Sequence, residues 1–427
     1  MLDIRVIREK PELVRDSIVK RKLDPARIDL DRLIASDVEW RQQQGRLDEL
    51  RSQRNELSSS IKSLAGAERQ SAVEKVKGIK KELGELETRV EELKQERDVL
   101  LRRVPNLLAE DAPIGATDAD NVEVARWGEP PTFSFEPRHH VELGQLTDTI
   151  DFDRAAKVTG SNFYYLKHEA ALLEMALCQY AASRLLPRGF VPIATPDIAR
   201  DEILDGIGFA PRGPETQVYS LEHTDLSLVG TAEITVGGYH AGEILEASQL
   251  PLKYLGLSHC FRTEAGAYGK ESRGLYRVHQ FTKAEMFVLC RPEDGVAMHE
   301  MIRSLEEEIF RGLGISYRVV NVCSGDLGAP ALKKYDIEAW MPGRGAFGEV
   351  TSCSNCTDYQ SRRLNIRFRP EPNAAPQFVS MLNGTAIAVS RALIAIYENY
   401  QQVDGSVRIP EALLPWMAGL RQLPVRR

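Results

Sequence analysis

Between Trp40 and Val104 the seam positions of the chain fall alternately three and four residues apart. One series runs Trp40, Gln43, Leu47, Leu50, Arg54, Leu57, Ile61, Leu64, and a second runs Ala72, Val76, Ile79, Leu83, Leu86, Val90, Leu93, Arg97, Leu100, Val104. This is the heptad signature of packed helices. Ala65-Gly66-Ala67 interrupts it and is short enough to join antiparallel neighbours. The spacing therefore predicts a helical hairpin over about 28–104. Leu64 then lies beside Ala72, Arg54 near Leu83, and Arg97 near Trp40, where a guanidinium over the indole is expected to contribute ~0.5–2 kcal/mol. A helix over 28–64 would extend roughly 55 Å, too far to bury itself in a small globular core. Ahead of it, Ile4 and Val6 suggest a short strand, and Pro11 opens a helix with Leu13, Val14 and Ile18 on one side.

After the hairpin the pattern changes. Pro105, Pro113, Gly115, Gly128, Pro130, Pro131 and Pro137 punctuate polar, acidic sequence, which reads as a linker over 109–137 or a loop laid on a surface. It separates an N-terminal domain, 1–108, from a second domain, 138–427. In the second, apolar helices (Glu169–Leu186, Gly295–Gly312, Asn383–Tyr400) are interspersed with short β-like runs, without a regular strand–helix–strand repeat. That predicts an α+β fold with a mainly antiparallel sheet flanked by helices. Two of the runs, 257–263 and 276–290, read as the strands of a hairpin.

Charge divides along the same boundary. The 427-residue chain carries a net −7, yet residues 40–103 carry +3, leaving −10 for the rest. Overall charge thus argues against a general nucleic-acid binder and leaves the arm open to three readings: a solvated exterior, nucleic-acid contact, or a dimerising coiled coil. Six cysteines are too few for a disulfide scaffold. The N-terminus has no signal-like apolar core, and no window is long enough to span a membrane. A soluble, cytoplasmic chain is expected, with an organellar form that has lost its transit peptide left open.

Four segments look chemical. In Gly230-Thr231-Ala232-Glu233, Thr231 can cap a helix and Glu233 sit in its first turn. The loop between 257–263 and 276–290 holds glycines that let backbone approach a ligand. It also holds Arg262, Glu264, Arg273 and Arg277, with Phe281 and Glu285 on the returning strand. Such a set suits a nucleotide triphosphate: Arg262 for phosphate, Glu264 for an adenine amino group, Phe281 for stacking. A merely exposed, charged hairpin is the plain alternative. In Gly348-Glu349-Val350-Thr351-Ser352, a carboxylate and a hydroxyl three residues apart can share Mg²⁺, or simply edge a strand. Met381-Leu382-Asn383-Gly384-Thr385 reads as a strand that turns at Asn-Gly into an apolar helix bearing one cation, Arg391. A buried arginine there calls for an anion. Cys353-Ser354-Asn355-Cys356 lacks the second ligand pair of a zinc site, so buried thiols and no structural zinc are expected.

Taken together the segments resemble class II aminoacyl-tRNA synthetases, most closely the seryl-tRNA synthetase family, along nearly the whole chain. The arm looks like that family's antiparallel coiled coil, which reaches the long variable arm of serine tRNA. Residues 189–196 look like its first motif, which implies a homodimer; residues 255–288 look like the second, and 378–400 like the third. The resemblance implies ATP-dependent activation of L-serine and transfer to tRNA(Ser), extending to tRNA(Sec). It assigns ATP to Arg262, Thr263, Glu264, Val278, Phe281, Glu349, Val350, Thr351, Ser352 and Arg391. It assigns serine to Thr231, Ala232, Glu233, Arg262, Glu285, Asn383 and Thr385, Mg²⁺ to Glu349 and Ser352, and catalysis to Arg262 and Arg391. Position 385 is often serine in the family; threonine keeps the hydroxyl and adds a methyl group. An inactive synthetase-like scaffold and a ligase charging a carrier protein stay open beside it.

Overall fold

The structure, a computed structural model, describes residues 1–24, 27–209, 217–265 and 274–426. It divides into two compact units, Met1–Pro105 and Asn106–Arg427. Arg273 lies outside the described residues.

The main elements among the first unit's described residues are all helices: α1 (Ile4–Glu9), α2 (Pro11–Lys20), α3 (Leu30–Ser60) and α4 (Gly66–Arg103). The strand expected at Ile4 and Val6 is instead helix α1. Asp3 caps it, its side chain accepting from the Arg5 amide at 2.9 Å, and an extended segment would have found no strand to pair with here. Pro11 does open α2.

Helices α3 and α4 pair antiparallel. As numbers rise on one they fall on the other, through Arg32–Glu96 at 2.6 Å, Glu39–Arg89 at 2.8 Å and Arg46–Glu82 at 3.3 Å. Leu47, Leu50, Leu83 and Val90 form the buried seam, with Trp40, Ile79 and Leu86 packed against it. The Arg97 guanidinium lies over the Trp40 ring at 4.1 Å, as the heptad pairing required. Arg54 donates to the Asn55 side chain at 2.8 Å. At the tip Gly66 takes φ +56°, a conformation that costs glycine little.

The second unit is built on an eight-stranded sheet. In chain order its strands are β1 (Val122–Trp127), β2 (Val191–Ala194), β3 (Leu252–Phe261), β4 (Gln280–Cys290), β5 (Tyr317–Asn321), β6 (Lys333–Met341), β7 (Ala346–Asn355) and β8 (Ser380–Ala388). They lie in the order β1-β5-β6-β7-β8-β4-β3-β2. Every neighbouring pair is antiparallel except β2 with β3. Around the sheet stand α5 (His140–Leu146), α6 (Glu169–Leu185), α7 (Ala232–Gly238), α8 (Gly295–Gly312), α9 (Tyr359–Leu364) and α10 (Val389–Asn399).

Strand β4 shows why the central segments read as unbroken apolar runs. Ala284, Met286, Val288 and Cys290 join the core containing α6, α8 and α10, whereas Phe287 and Leu289 join the one containing α7. A sheet covered on both faces leaves no polar alternation to detect.

Three expectations need correction here. The segment 109–137 is tied to the second unit: residues 122–127 form β1, the edge strand of the main sheet. Backbone bonds from Asn106 to Ala329 and from Ala109 to Leu332 fix the segment's start. The hairpin strands run Leu252–Phe261 and Gln280–Cys290, so residues 276–279 belong to the connection. Finally, the chain does not turn at Asn383-Gly384. Strand β8 passes straight through, Gly384 facing Met286 on one side and Cys353 on the other, and the helix begins only at Val389. A β-carbon on Gly384 would strike Ile302 and reach within 2.9 Å of Glu306. The glycine thus serves close packing in a central strand.

Candidate active site

The sheet opens beside β4, β7 and β8 into a cavity of ≈ 250 Å³. Arg262, Glu264, Tyr276, Val278 and Phe281 line one wall; Lys283, Lys334, the run Glu349–Ser352, Thr385, Ala388, Ser390 and Arg391 supply the rest. Arg262 and Arg391, far apart in sequence, therefore converge on one space.

Two bulges make this possible. Side chains three residues apart on a regular strand point to opposite faces. In β7, Thr351 pairs with Ile337 but Glu349 with Glu338, so Val350 is an extra residue. It turns Glu349 and Ser352 onto one wall while Val350 is buried. In β8, Thr385 pairs with Glu285 and Ile387 with Ala284, leaving Ala386 as the extra residue shortly before the helix that carries Arg391.

Each guanidinium is held. Arg262 donates to the Gly230 carbonyl at 3.2 Å and lies 5.3 Å from the Phe281 ring centroid. Arg277 pairs with Glu264 at 3.3 Å, and Glu264 adopts φ +50°. Arg391 meets the Glu349 carboxylate at 3.0 Å and lies over the Tyr276 ring at 4.8 Å. Its buried face thus pairs with a carboxylate that belongs to the cavity itself. Burial alone would raise the Glu349 carboxyl, but the charges of Arg391 and Lys334 overcome it and hold Glu349 down at about 2. The cavity therefore keeps an ionised carboxylate beside cations on either side.

Deeper in, α7 faces β4. Phe281, Lys283 and Glu285 alternate along one face of that strand, as period two requires. Lys283 forms an ion pair with Glu285, and its ammonium donates to Thr231 Oγ1 at 3.3 Å. The Thr231 hydroxyl donates to Glu285 at 3.2 Å and accepts from the Glu233 amide at 3.2 Å. Thr231 is thus the helix cap and also part of the polar cluster. Asn383 and Gln360 each donate to Glu233 Oε1 at 2.7 Å. Burial, reinforced by the nearby Glu285 charge, pushes Glu233 up to about 7.

Of the residues expected here, Arg262, Glu264, Val278, Phe281, Glu349, Val350, Thr351, Ser352, Thr385 and Arg391 line the cavity. Thr231, Glu233, Glu285 and Asn383 form the hydrogen-bonded layer. Ala232 is fully buried at the start of α7, and the Thr263 amide bonds to Gln217 at 3.1 Å. Cys353 and Cys356 are buried free thiols, and burial raises Cys353 well above its usual value.

Sequence reasoning missed Lys283, Tyr276, Lys334 and Gln360. A signal existed for Lys283: a lone cation at alternate spacing from Phe281 and Glu285 in an apolar run. None existed for Gln360, which arrives from α9.

The N-terminal domain family of seryl-tRNA synthetase matches residues 1–108, and the class II core domain family for G, H, P, S and T matches residues 218–400. The chain is 58% identical to the serine–tRNA ligase of Dictyoglomus turgidum, over 98% of both proteins. The chain belongs to the seryl-tRNA synthetase family. Its fold also superposes on the seryl-tRNA synthetase of Pyrococcus horikoshii, solved with ATP, with a TM-score of 0.94 and 43% identity over all of both chains. The cytoplasmic serine–tRNA ligase of Naegleria fowleri, solved with AMP, gives 0.88 and 32% over 100% of this chain and 99% of that one. In this seryl-tRNA synthetase family member no helix among the described residues is long and apolar enough to cross a membrane.

Proposed function

We propose that the protein activates L-serine with ATP and transfers it to the 3′ end of tRNA(Ser), and also to tRNA(Sec). The observation that carries this is the convergence of Arg262 and Arg391 on one cavity, with a buried, hydrogen-bonded Thr231–Lys283–Glu285 cluster reached through Lys283, which also lines it.

In the first step an oxygen of the serine carboxylate attacks the α-phosphorus of ATP. The new P–O bond forms as the bond to the β-phosphate bridging oxygen breaks, and pyrophosphate leaves. In the second, a terminal ribose hydroxyl of the tRNA attacks the acyl carbon and AMP leaves. Neither step needs a strong protein base, so alignment and charge neutralisation carry the catalysis. In this reading Arg262 and Arg391 neutralise phosphate, Phe281 stacks on the base and Glu264 accepts from its amino group; their shared lining of the cavity supports it.

Glu349 and Ser352 would hold Mg²⁺. An ionised carboxylate and a hydroxyl on one wall are hard oxygen donors, the kind that ion prefers while keeping several waters. When bound, Mg²⁺ would offset negative charge on the triphosphate.

Serine is chosen over alanine because Thr231 and Glu285 would lose a hydroxyl partner in a buried site, a penalty that supports ~10⁴-fold discrimination. Threonine is excluded by size. We further propose a cytoplasmic homodimer. The edge strand β2 leaves Val191 exposed, which supports a second subunit covering that edge. The test is amino-acid-dependent ATP–pyrophosphate exchange with serine, threonine, alanine and glycine. Exchange with serine alone is expected; none with any of the four would leave an inactive scaffold.

A further inference from the structure

Behind the cavity two ionisable side chains are sealed from solvent. His140 opens α5 and is 1% exposed, and Glu398, near the end of α10, is fully buried. They meet at 2.9 Å between His140 Nδ1 and Glu398 Oε1. The Leu275 amide donates to His140 Nε2 at 3.1 Å. A backbone N–H can only donate, so Nε2 accepts and the ring proton sits on Nδ1, aimed at Glu398. Glu398 also accepts from the His140 amide at 3.1 Å and the Gly343 amide at 2.9 Å.

The partners of this pair share a destination. Leu275 precedes Tyr276, whose ring lines the cavity. Gly343 precedes Arg344, whose guanidinium lies over Tyr276 at 4.5 Å. Glu398 stands two turns along α10 from Arg391, on the same helix face, and Arg391 lies over Tyr276 at 4.8 Å. One buried pair thus fixes the backbone or helix behind each member of the Arg344–Tyr276–Arg391 stack. The packing leaves no slack. A β-carbon on Gly274, which has φ +81°, would strike the His140 ring, and one on Gly343 would come within 3.0 Å of the Glu398 carboxyl carbon.

A metal does not fit. His139, His140 and Glu398 bring ligand atoms within 4.8 Å of one another, but both His140 nitrogens are already engaged, and His139 Nδ1 accepts from the Val141 amide at 3.3 Å.

We propose that His140 and Glu398 are positioning residues for nucleotide binding, holding the Tyr276 stack from behind so that Arg391 meets the triphosphate in register. This rests on the ATP-dependent activation proposed above.

The test compares His140→Asn with His140→Gln. Asn places an amide donor where Nδ1 was and cannot reach Leu275, whereas Gln places an acceptor where Nε2 was. Both are measured by serine-dependent exchange and by hydrogen exchange of the peptide spanning 274–278. H140N should lower kcat/KM for ATP by ~10–100-fold, leave KM for serine within about twofold, and speed amide exchange at 274–278. H140Q keeps the Leu275 bond but not the side-chain donor to Glu398, so it should restore the slow amide exchange at 274–278 and only part of kcat/KM for ATP. Glu398→Gln, which turns an amide N–H toward the Gly343 N–H, should likewise raise KM for ATP and spare that for serine. Wild-type ATP parameters in H140N overturn the proposal. So does equal damage in H140N and H140Q, or parallel loss toward ATP and serine. Wild-type protein without exchange activity would instead sink the activation reading, while the amide-exchange comparison would still report on the anchor.

Discussion

Arg391 and Glu349, 42 residues apart, meet twice: the guanidinium lies 3.0 Å from the Glu349 carboxylate and donates to its backbone carbonyl at 3.2 Å. The pair fixes a cation at the start of α10 and an ionised carboxylate on β7, both facing the cavity. The Arg391 side chain is largely withdrawn from water, so its charge would be costly there without the carboxylate.

Removing that cation tests its role in the reaction. Arg391→Ala should lower serine-dependent pyrophosphate exchange on the order of 10²–10³-fold, the usual cost of losing a preorganised charge clamp. Steady-state exchange with saturating serine measures it, and normal activity would rule the role out.

The Lys283–Glu285 pair predicts a stability change. Lys283→Met leaves a buried carboxylate without its cation and should destabilise the second unit by about 3–5 kcal/mol, whereas Lys283→Met with Glu285→Gln should recover most of that. Urea unfolding of the three proteins gives the coupling. Simple additivity of the single changes would show that the two charges do not depend on each other.

Glu233 predicts a pH dependence. Its folded value of about 7 lies above its ordinary 4.5, so the folded state binds the proton more tightly. The stability this contributes is full below about pH 4.5 and is lost as pH rises through 7. Glu233→Gln removes the titration, so wild type should lose up to about 3 kcal/mol relative to that variant between pH 4.5 and 8. Unfolding midpoints at a series of pH values measure the difference, and parallel pH profiles would refute the shift.

The two-unit division predicts separable steps. Deleting residues 30–102 leaves the second unit with its own cores. The truncated protein should keep pyrophosphate exchange near wild type and lose most transfer of serine to tRNA. Comparable loss in both assays would contradict an arm that serves tRNA alone.

The parts legible in the sequence were those set by local spacing. Heptad periodicity and one short break fixed the pairing of α3 with α4, enough to place Arg97 over Trp40. Gly230–Glu233 announced a capped helix, and Arg262, Glu264 and Phe281 announced a charged connection after a strand. Where local signals competed, the reading slipped. Asn383-Gly384 carries turn chemistry, but β7 and β4 on either side draw it into a continuous strand, because backbone groups in a buried sheet must pair.

What the sequence determined by itself was the inventory of chemistry and the helical arm, since both follow from residue type and short-range periodicity. Tertiary structure alone decided which charges meet. The bulges at Val350 and Ala386, the Lys283–Thr231–Glu285 cluster and the His140–Glu398 anchor all depend on strands and helices brought together from distant positions. Register across the sheet, which a period of two specifies only once a partner strand exists, turned those separate residues into one site.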